Sequence, residues 1–244
     1  MADGPVLVYD QDAEPLPDGP LQVVIIGRKG QGKTVLAGTL FESWPGDRAV
    51  LDVTGDVAAD LDALDVIELS SPVPVVWPEE DRDGDKPMTL LWRPSRSLSH
   101  GERLAQAGQF VGMCFSKGDV LLWVDDGGQV LSAHQTPPEA LTALEQGRHS
   151  PLWLIMTMPR PKAVHPLVIS NADVIYAFQT GNPDDVRRLA DVFGWPAADL
   201  GPVLASLEPH WFLRRISATG EVALFPPVPM RKQVRVASRD AERR

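Results

Sequence analysis

Apolar residues in this chain fall into short unbroken runs separated by stretches with helical spacing. Residues 21–26 (LQVVII), 120–124 (VLLWV) and 152–156 (LWLIM) form the strongest runs, and 49–53, 66–69, 89–92 and 173–178 repeat the pattern. A strand buried on both faces reads this way, whereas a strand with one wet face alternates. Between the runs, Leu104, Ala107, Phe110, Val111 and Phe115 recur at helical spacing, and Ser99 with Glu102 fits a capping box ahead of them. Further helices are predicted over 35–41, 138–146, 184–193 and 198–207, and His165 reads as a helix-start residue before Pro166. Residues 211–216 and 222–225, separated by Ala218-Thr219-Gly220-Glu221, read as a hairpin. Strands alternating with helices predict a three-layer α/β fold: a mostly parallel central sheet flanked by helices, closed by a C-terminal β-hairpin. There is no internal repeat and no sign of a second domain. The expected organisation is a lead-in over 1–20 with a short strand near 6–9, one domain over 21–228, and a basic tail over 229–244. A proline-rich acidic insertion over 72–87 is expected to be exposed.

Composition narrows this picture. A chain of 244 residues is long enough to bury a full core. No apolar run is long enough to cross a membrane, and the N-terminus lacks a basic-then-apolar leader, so no membrane insertion is expected. Cys114 is the only cysteine, which rules out a disulfide framework and a thiol metal site, and Gly112-Met113-Cys114-Phe115 reads as buried helix packing. A reducing cytoplasm is the natural compartment. The net charge of −10 excludes a protein coated in basic surface but leaves room for a local patch. Residues 1–20 carry Asp3, Asp10, Asp12, Glu14 and Asp18 with no Lys or Arg. The tail carries Arg231, Lys232, Arg235, Arg239, Arg243 and Arg244 against Asp240 and Glu242. Contacts with neighbouring subunits or nucleic acid, and two solvated ends, are both open readings of this asymmetry.

The chemistry concentrates in Gly27-Arg28-Lys29-Gly30-Gln31-Gly32-Lys33-Thr34 and the following Val35. The segment fits G-x-x-x-x-G-K-[ST] between a strand and a helix, the setting of a phosphate-binding loop. Glycines let successive N–H groups turn inward, and the helix N-terminus adds partial positive charge. Lys33 is placed to reach the β- and γ-phosphates of ATP, and the Thr34 hydroxyl to ligate Mg²⁺. Asp125 and Asp126 end the 120–124 run, where ligand sites of open α/β sheets lie. Asp125 is the expected Mg²⁺ ligand, a hard oxygen for a hard cation, and Asp126 the group that orients or deprotonates the attacking water. Asp126 stands where Glu is common, one methylene shorter. Arg148, in Gln146-Gly147-Arg148-His149, has two readings: an arginine finger inserted into a neighbouring subunit's γ-phosphate site, or an exposed side chain near a helix C-terminus. Thr157, at the end of the 152–156 run, is the candidate γ-phosphate sensor. The five histidines show no metal-ligand spacing, and the tryptophans read as core rather than as a base-stacking platform.

Taken in order, these segments resemble the FtsK–HerA superfamily of motor ATPases. The resemblance rests on residues 27–34, the strand ending in Asp125-Asp126, the Gly147-Arg148-His149 turn, and Arg160-Pro161, Val164-His165-Pro166 and Ile169-Ser170-Asn171-Ala172-Asp173. Asn182-Pro183-Asp184-Asp185-Val186-Arg187-Arg188-Leu189, ending at Gly194, extends it. It spans about residues 20–225 and departs from the family at Met158, where Gln usually follows Thr, and in one extra residue before Arg160-Pro161. The resemblance implies a RecA/FtsK–HerA-like P-loop NTPase that hydrolyses ATP with Mg²⁺ and translocates double-stranded DNA as a homo-oligomeric ring, expected to be a hexamer. No membrane anchor, DNA-reading domain or long extra domain is expected from this sequence, so the resemblance is greatest to viral genome-packaging ATPases. A capsid or portal component would then be a partner, and the host cytoplasm or a packaging vertex of the virion the location. Lys117, Arg160 and Lys162 are candidates for DNA-contacting loops. A superfamily ATPase driving another assembly or secretion process, a P-loop small-molecule kinase, and a nucleotide-bound scaffold remain alternatives.

Overall fold

The computed structural model describes residues 8–9, 19, 21–57, 61, 64–78, 86–146 and 151–229. Its strands are β1 (Val8–Tyr9), β2 (Gln22–Ile26), β3 (Asp47–Asp52), β4 (Val66–Leu69), β5 (Thr89–Trp92), β6 (Val120–Asp125), β7 (Leu152–Met158), β8 (Val174–Phe178), β9 (Phe212–Ile216) and β10 (Val222–Phe225). Its helices are α1 (Lys33–Glu42), α2 (His100–Lys117), α3 (Pro138–Gln146), α4 (Pro166–Ser170), α5 (Pro183–Phe193) and α6 (Ala197–Ser206). The strands form one sheet in the order β1-β10-β9-β8-β2-β7-β6-β3-β5-β4. Pairing is parallel from β8 through β2, β7, β6, β3, β5 and β4, and antiparallel only where β9 meets β8 and β10. The predicted parallel sheet and C-terminal hairpin are both present. β1 adds to the hairpin's far edge, parallel to β10.

Burial explains the unbroken apolar runs. Successive strand residues point to opposite faces, and here both faces are covered. Val23, Ile25, Leu121, Trp123 and Ile155 pack against Leu36, Ala37 and Phe41 of α1. Val24, Ile26, Leu122, Val124, Leu154 and Met156 join Ala107, Phe110, Val111 and Cys114 of α2, with α3, α5 and α6 completing that layer. Cys114 is fully buried, and burial pushes its thiol far up, as its apolar setting predicts. The Ser99–Glu102 capping box forms: each residue's backbone N–H donates to the other's side chain. His165 caps α4, its Nδ1 accepting from the Leu167 N–H at 3.3 Å.

β3 starts earlier than its apolar run predicts. The Met88 N–H donates to Asp47 Oδ1 at 2.8 Å, and the Arg48 side chain donates to the Phe41 carbonyl at 3.3 Å. These bonds, the first of them across 41 positions of chain, hold two polar residues in the ladder that periodicity alone leaves outside it. No helix among the described residues is long and apolar enough to cross a membrane. Most of the lead-in, the 79–85 stretch of the acidic insertion, Arg148 and its turn, and the basic tail from residue 230 lie outside the described residues.

Candidate functional site

Because β2, β3, β6, β7 and β8 run parallel, their carboxyl ends share one edge of the sheet, and the loops leaving that edge build a cleft of about 770 Å³. The glycine-rich loop leaves β2 there. A Cβ on Gly27 would stand 2.5 Å from the Cβ of Phe178, so only glycine lets the chain pass β8 at this point. The Gly27 N–H donates to the Met158 carbonyl at 3.2 Å, tying the loop to β7. Gly30 and Gly32 adopt φ of +81° and +97°, values that residues with a Cβ rarely reach. Gly32 is the N-cap of α1 and carries no capping side chain, which leaves the first N–H groups of the helix open to a ligand.

Lys33 folds back across the loop, its Nζ donating to the Arg28 carbonyl at 3.1 Å. Burial lowers the affinity of its ammonium for the proton, Asp125 and Asp126 oppose that effect, and Lys29 adds to it. Lys29, Gly30, Gly32, Lys33, Thr34 and Val35 line one wall of the cleft, and Thr54, Asp56, Asp125, Asp126 and Thr157 another. Arg28 and Gln31 shape the loop from outside that wall, the Gln31 N–H donating to the Arg28 carbonyl.

Asp125 is 6% exposed. The Thr157 hydroxyl donates to its Oδ1 and the Thr54 hydroxyl to its Oδ2, each at 2.7 Å. Burial raises its pKa, the two hydroxyl bonds pull it back down, and nearby Asp52 and Asp126 push it up again. The Thr157 hydroxyl also accepts the Asp126 N–H at 3.2 Å, so this side chain, 1% exposed, joins both carboxylate residues. Asp126 itself has φ +49° and ψ +55°, an uncommon left-handed position for a residue other than glycine. Gln129 Nε2 donates to its Oδ2 at 2.6 Å. Met158, where the resemblance has Gln, is fully buried.

Several positions in and beside the cleft escaped the sequence. Asp52 ends β3 directly opposite Asp125 in the ladder and is 0% exposed. Arg93 holds it through Nε and Nη2, both at 3.1 Å, and also reaches Glu68. The Gly55 N–H donates to Asp52 Oδ1 at 2.7 Å, which folds Thr54 and Asp56 toward the cleft. The strand-end rule that finds Asp125 finds Asp52 equally well. His210, Phe178 and the segment Pro227-Val228-Pro229 close the far end of the cleft. Three cations expected at DNA-contacting loops are engaged elsewhere: Lys117 pairs with Asp47, Arg160 with Asp185 and Lys162 with Asp184. Asp47 opens β3, so Lys117 lies at the edge opposite the cleft.

The donor set suits Mg²⁺. Thr34 and Asp125 offer one hydroxyl and one carboxylate on the same cleft, the sparse oxygen set Mg²⁺ takes alongside phosphate oxygens and water. No group of three or more His, Cys, Asp or Glu side chains suited to holding a metal occurs among the described residues, so an all-protein cage is not what the cleft provides there.

Fold and loop together have the architecture of a P-loop NTPase. No protein-family model matches the chain, and no curated protein matches it. Among solved structures it is similar to the genome packaging NTPase B204 from Sulfolobus turreted icosahedral virus 2. In complex with ATP-gammaS, B204 aligns over 87% of this chain and 100% of its own, at 19% identity and a TM-score of 0.66. The AMPPCP complex gives the same coverage at 18% identity and a TM-score of 0.62. B204 of Sulfolobus Turreted Icosahedral Virus, described as its DNA-packaging ATPase, aligns over 87% of this chain and all of its own at 19% identity and a TM-score of 0.61. At these identities the likeness carries the fold, and it agrees with the motor-ATPase resemblance read from the motifs.

Proposed function

We propose that this chain is an ATPase that translocates double-stranded DNA as a homo-oligomeric ring, a hexamer, in packaging a viral genome. One observation carries the reading: the glycine-rich loop with Lys33 and Thr34 converges with Asp125 and Asp126 on a single cleft at the carboxyl edge of the sheet. The packaging assignment is supported by the motif order and by the fold shared with B204.

In this reading the N–H groups of the loop and of the first turn of α1 bind the phosphates, and Lys33 leaves the Arg28 carbonyl to contact the β- and γ-phosphates. Thr34 and Asp125 hold Mg²⁺, which when bound withdraws charge from the phosphate oxygens. Thr54 and Thr157 fix the orientation of Asp125. Asp126, tethered by Gln129, orients a water for in-line attack on the γ-phosphorus and takes its proton as the β–γ bridging bond breaks. Thr157 serves the γ-phosphate by placing both carboxylates. Arg148 of a neighbouring subunit completes the site as the bond breaks. The duplex is held by its phosphates, so binding weakens as salt rises, and a capsid or portal component anchors the ring at the packaging vertex.

ATP hydrolysis by the full chain, with and without duplex DNA and with Lys33→Ala as the control, tests this function. Turnover stimulated by duplex and abolished in Lys33→Ala is expected. Full turnover in Lys33→Ala overturns the mechanism. Unstimulated turnover favours a superfamily ATPase of another purpose, a reading to which the ion-paired state of Lys117, Arg160 and Lys162 gives some weight. Sedimentation with a non-hydrolysable nucleotide, comparing Arg148→Ala with the parent chain, tests the ring and the trans role.

A further inference from the structure

The far end of the cleft differs in chemistry from the phosphate end. Gly32 marks the boundary: a Cβ there would lie 3.4 Å from His210 Nδ1 and 3.7 Å from Phe178 Cε1. Beyond it the lining is His210, Phe178, Pro227, Val228 and Pro229. Phe178 is buried and packs against Phe212 at 5.0 Å between centroids, so the floor of this wall is rigid. His210 stands exposed in the turn before β9, at φ +69°. Its imidazole lines the cleft and has no hydrogen-bond partner among the described residues. The turn over Glu208–Trp211, closed by the Trp211 N–H on the Glu208 carbonyl, sets this left-handed backbone and holds the imidazole beside the cleft.

The lip formed by Pro227, Val228 and Pro229 is short of donors. Residues 226–229 read Pro-Pro-Val-Pro, and proline has no backbone N–H. Val228 therefore carries the single main-chain donor of this stretch, and His210 is the one polar side chain of the wall among the described residues. A nucleobase seated here meets the exposed His210 imidazole and the proline-rich lip, with few hydrogen-bonding groups among the described residues.

We propose that His210 and the Pro227–Pro229 lip over Phe178 form the nucleobase subsite of the cleft, holding the base by stacking and taking adenine and guanine nucleotides alike. The proposal rests on the nucleotide-binding reading above. Apolar and stacking surfaces separate ligands of similar size weakly, whereas strong discrimination needs buried polar groups matched to the base edge. The site thus grips the triphosphate for affinity and the base for added hold, without reading its identity.

The test is calorimetric titration of the full chain in Mg²⁺ with the β,γ-methylene analogues of ATP and of GTP, and with inorganic tripolyphosphate, which has no base. The parent chain is expected to bind the two analogues within about threefold of each other, and tripolyphosphate more weakly. His210→Gly is chosen because glycine takes φ +69° without strain. It is expected to weaken both analogues roughly tenfold, the size of one lost stacking contact, while tripolyphosphate affinity moves less than about twofold. The retained tripolyphosphate affinity reports that the variant is folded. Unchanged analogue affinity in His210→Gly, or guanine bound more than about 100-fold more weakly than adenine by the parent chain, overturns the proposal and leaves nucleotide binding standing. A parent chain that binds neither tripolyphosphate nor either analogue overturns the nucleotide reading and the base subsite with it.

Discussion

Replacing Thr157 by Val separates two roles for this residue. Valine keeps the branched shape that β7 accommodates at this buried position and removes only the hydroxyl. Asp125 then loses a 2.7 Å donor and the Asp126 N–H its acceptor. A hydrogen bond to a charged group is worth about 1.5–3 kcal/mol, and a partly buried N–H left unpaired costs about 1 kcal/mol. The new methyl recovers some burial, so the net loss is about 2–3 kcal/mol. For a chain of this size that lowers the melting temperature by about 5–10 °C.

Catalysis follows from the same geometry. A supporting residue of this kind is worth about 10–100-fold in kcat, with KM for ATP nearly unchanged, because Thr157 does not touch the loop that binds the phosphates. The Thr157 bond favours the ionised form of Asp125 against burial, so losing it moves the acid limb of the pH–rate profile to higher pH. The sign is the same for stability. Asp125 has a raised pKa in the fold, so its contribution is fully present at acid pH and lost as pH rises through that value. The Thr157→Val penalty is therefore largest at neutral pH and shrinks on acidification. Thermal melts and steady-state kinetics on Thr157→Val and Thr157→Ser read this directly, with Ser restoring both quantities. A Val variant with parental melting temperature and kcat refutes the network. One that melts normally but no longer prefers ATP over ADP establishes direct contact with the γ-phosphate.

Other substitutions test neighbouring parts of the site. Gly27→Ala forces a Cβ into Phe178 and is expected to cost about 2 kcal/mol or more, seen as a lower melting temperature; an unchanged melt refutes the close approach. Asp126→Asn keeps a side chain that tolerates the left-handed turn, so the fold and nucleotide affinity persist while kcat falls about 100-fold or more; retained turnover removes Asp126 from the proton path. Arg93→Ala strands the fully buried Asp52 carboxylate. A broken buried pair costs about 3–5 kcal/mol, and the partial exposure of Arg93 reduces this to about 2–3 kcal/mol. Adding Asp52→Asn is expected to restore part of that loss, and a double variant no more stable than Arg93→Ala refutes the pairing argument.

What was legible in the sequence was local. The loop from Gly27 to Thr34, the Asp125-Asp126 strand end, the capping box at Ser99 and the hairpin each fit within a few consecutive residues. The parts that escaped depend on sheet order. Thr54 reaches Asp125 across 71 positions of chain, and Arg93 reaches Asp52 across 41, because β3 inserts between β6 and β5. Nothing in the periodicity of residues 49–53 specifies that neighbour. His210 and Pro227–Pro229 were invisible for the same reason: they approach the glycine-rich loop only because β9 and β10 add beside β8. The ion pairs of Lys117, Arg160 and Lys162 likewise join separate elements, which charge along the chain does not reveal.

Asp at position 126, where the resembling motors commonly carry Glu, poses a question of reach that the fold addresses. A carboxylate on a regular strand is confined to the pleat and, one methylene short, stays back from the phosphates. Asp126 is not on the strand: β6 ends at Asp125, and the chain turns left-handed at the next residue. The strain of that turn is held by the Thr157 hydroxyl on its N–H and by the hydrogen bonds of the short helical turn over Gly127–Gln129. The turn brings the Asp126 carboxylate to the cleft lining beside Lys33, and Gln129 fixes which oxygen remains for a water. In the proposed mechanism backbone conformation supplies what the shorter side chain lacks, and Thr157, hydrogen-bonded to both Asp125 and Asp126, braces that arrangement.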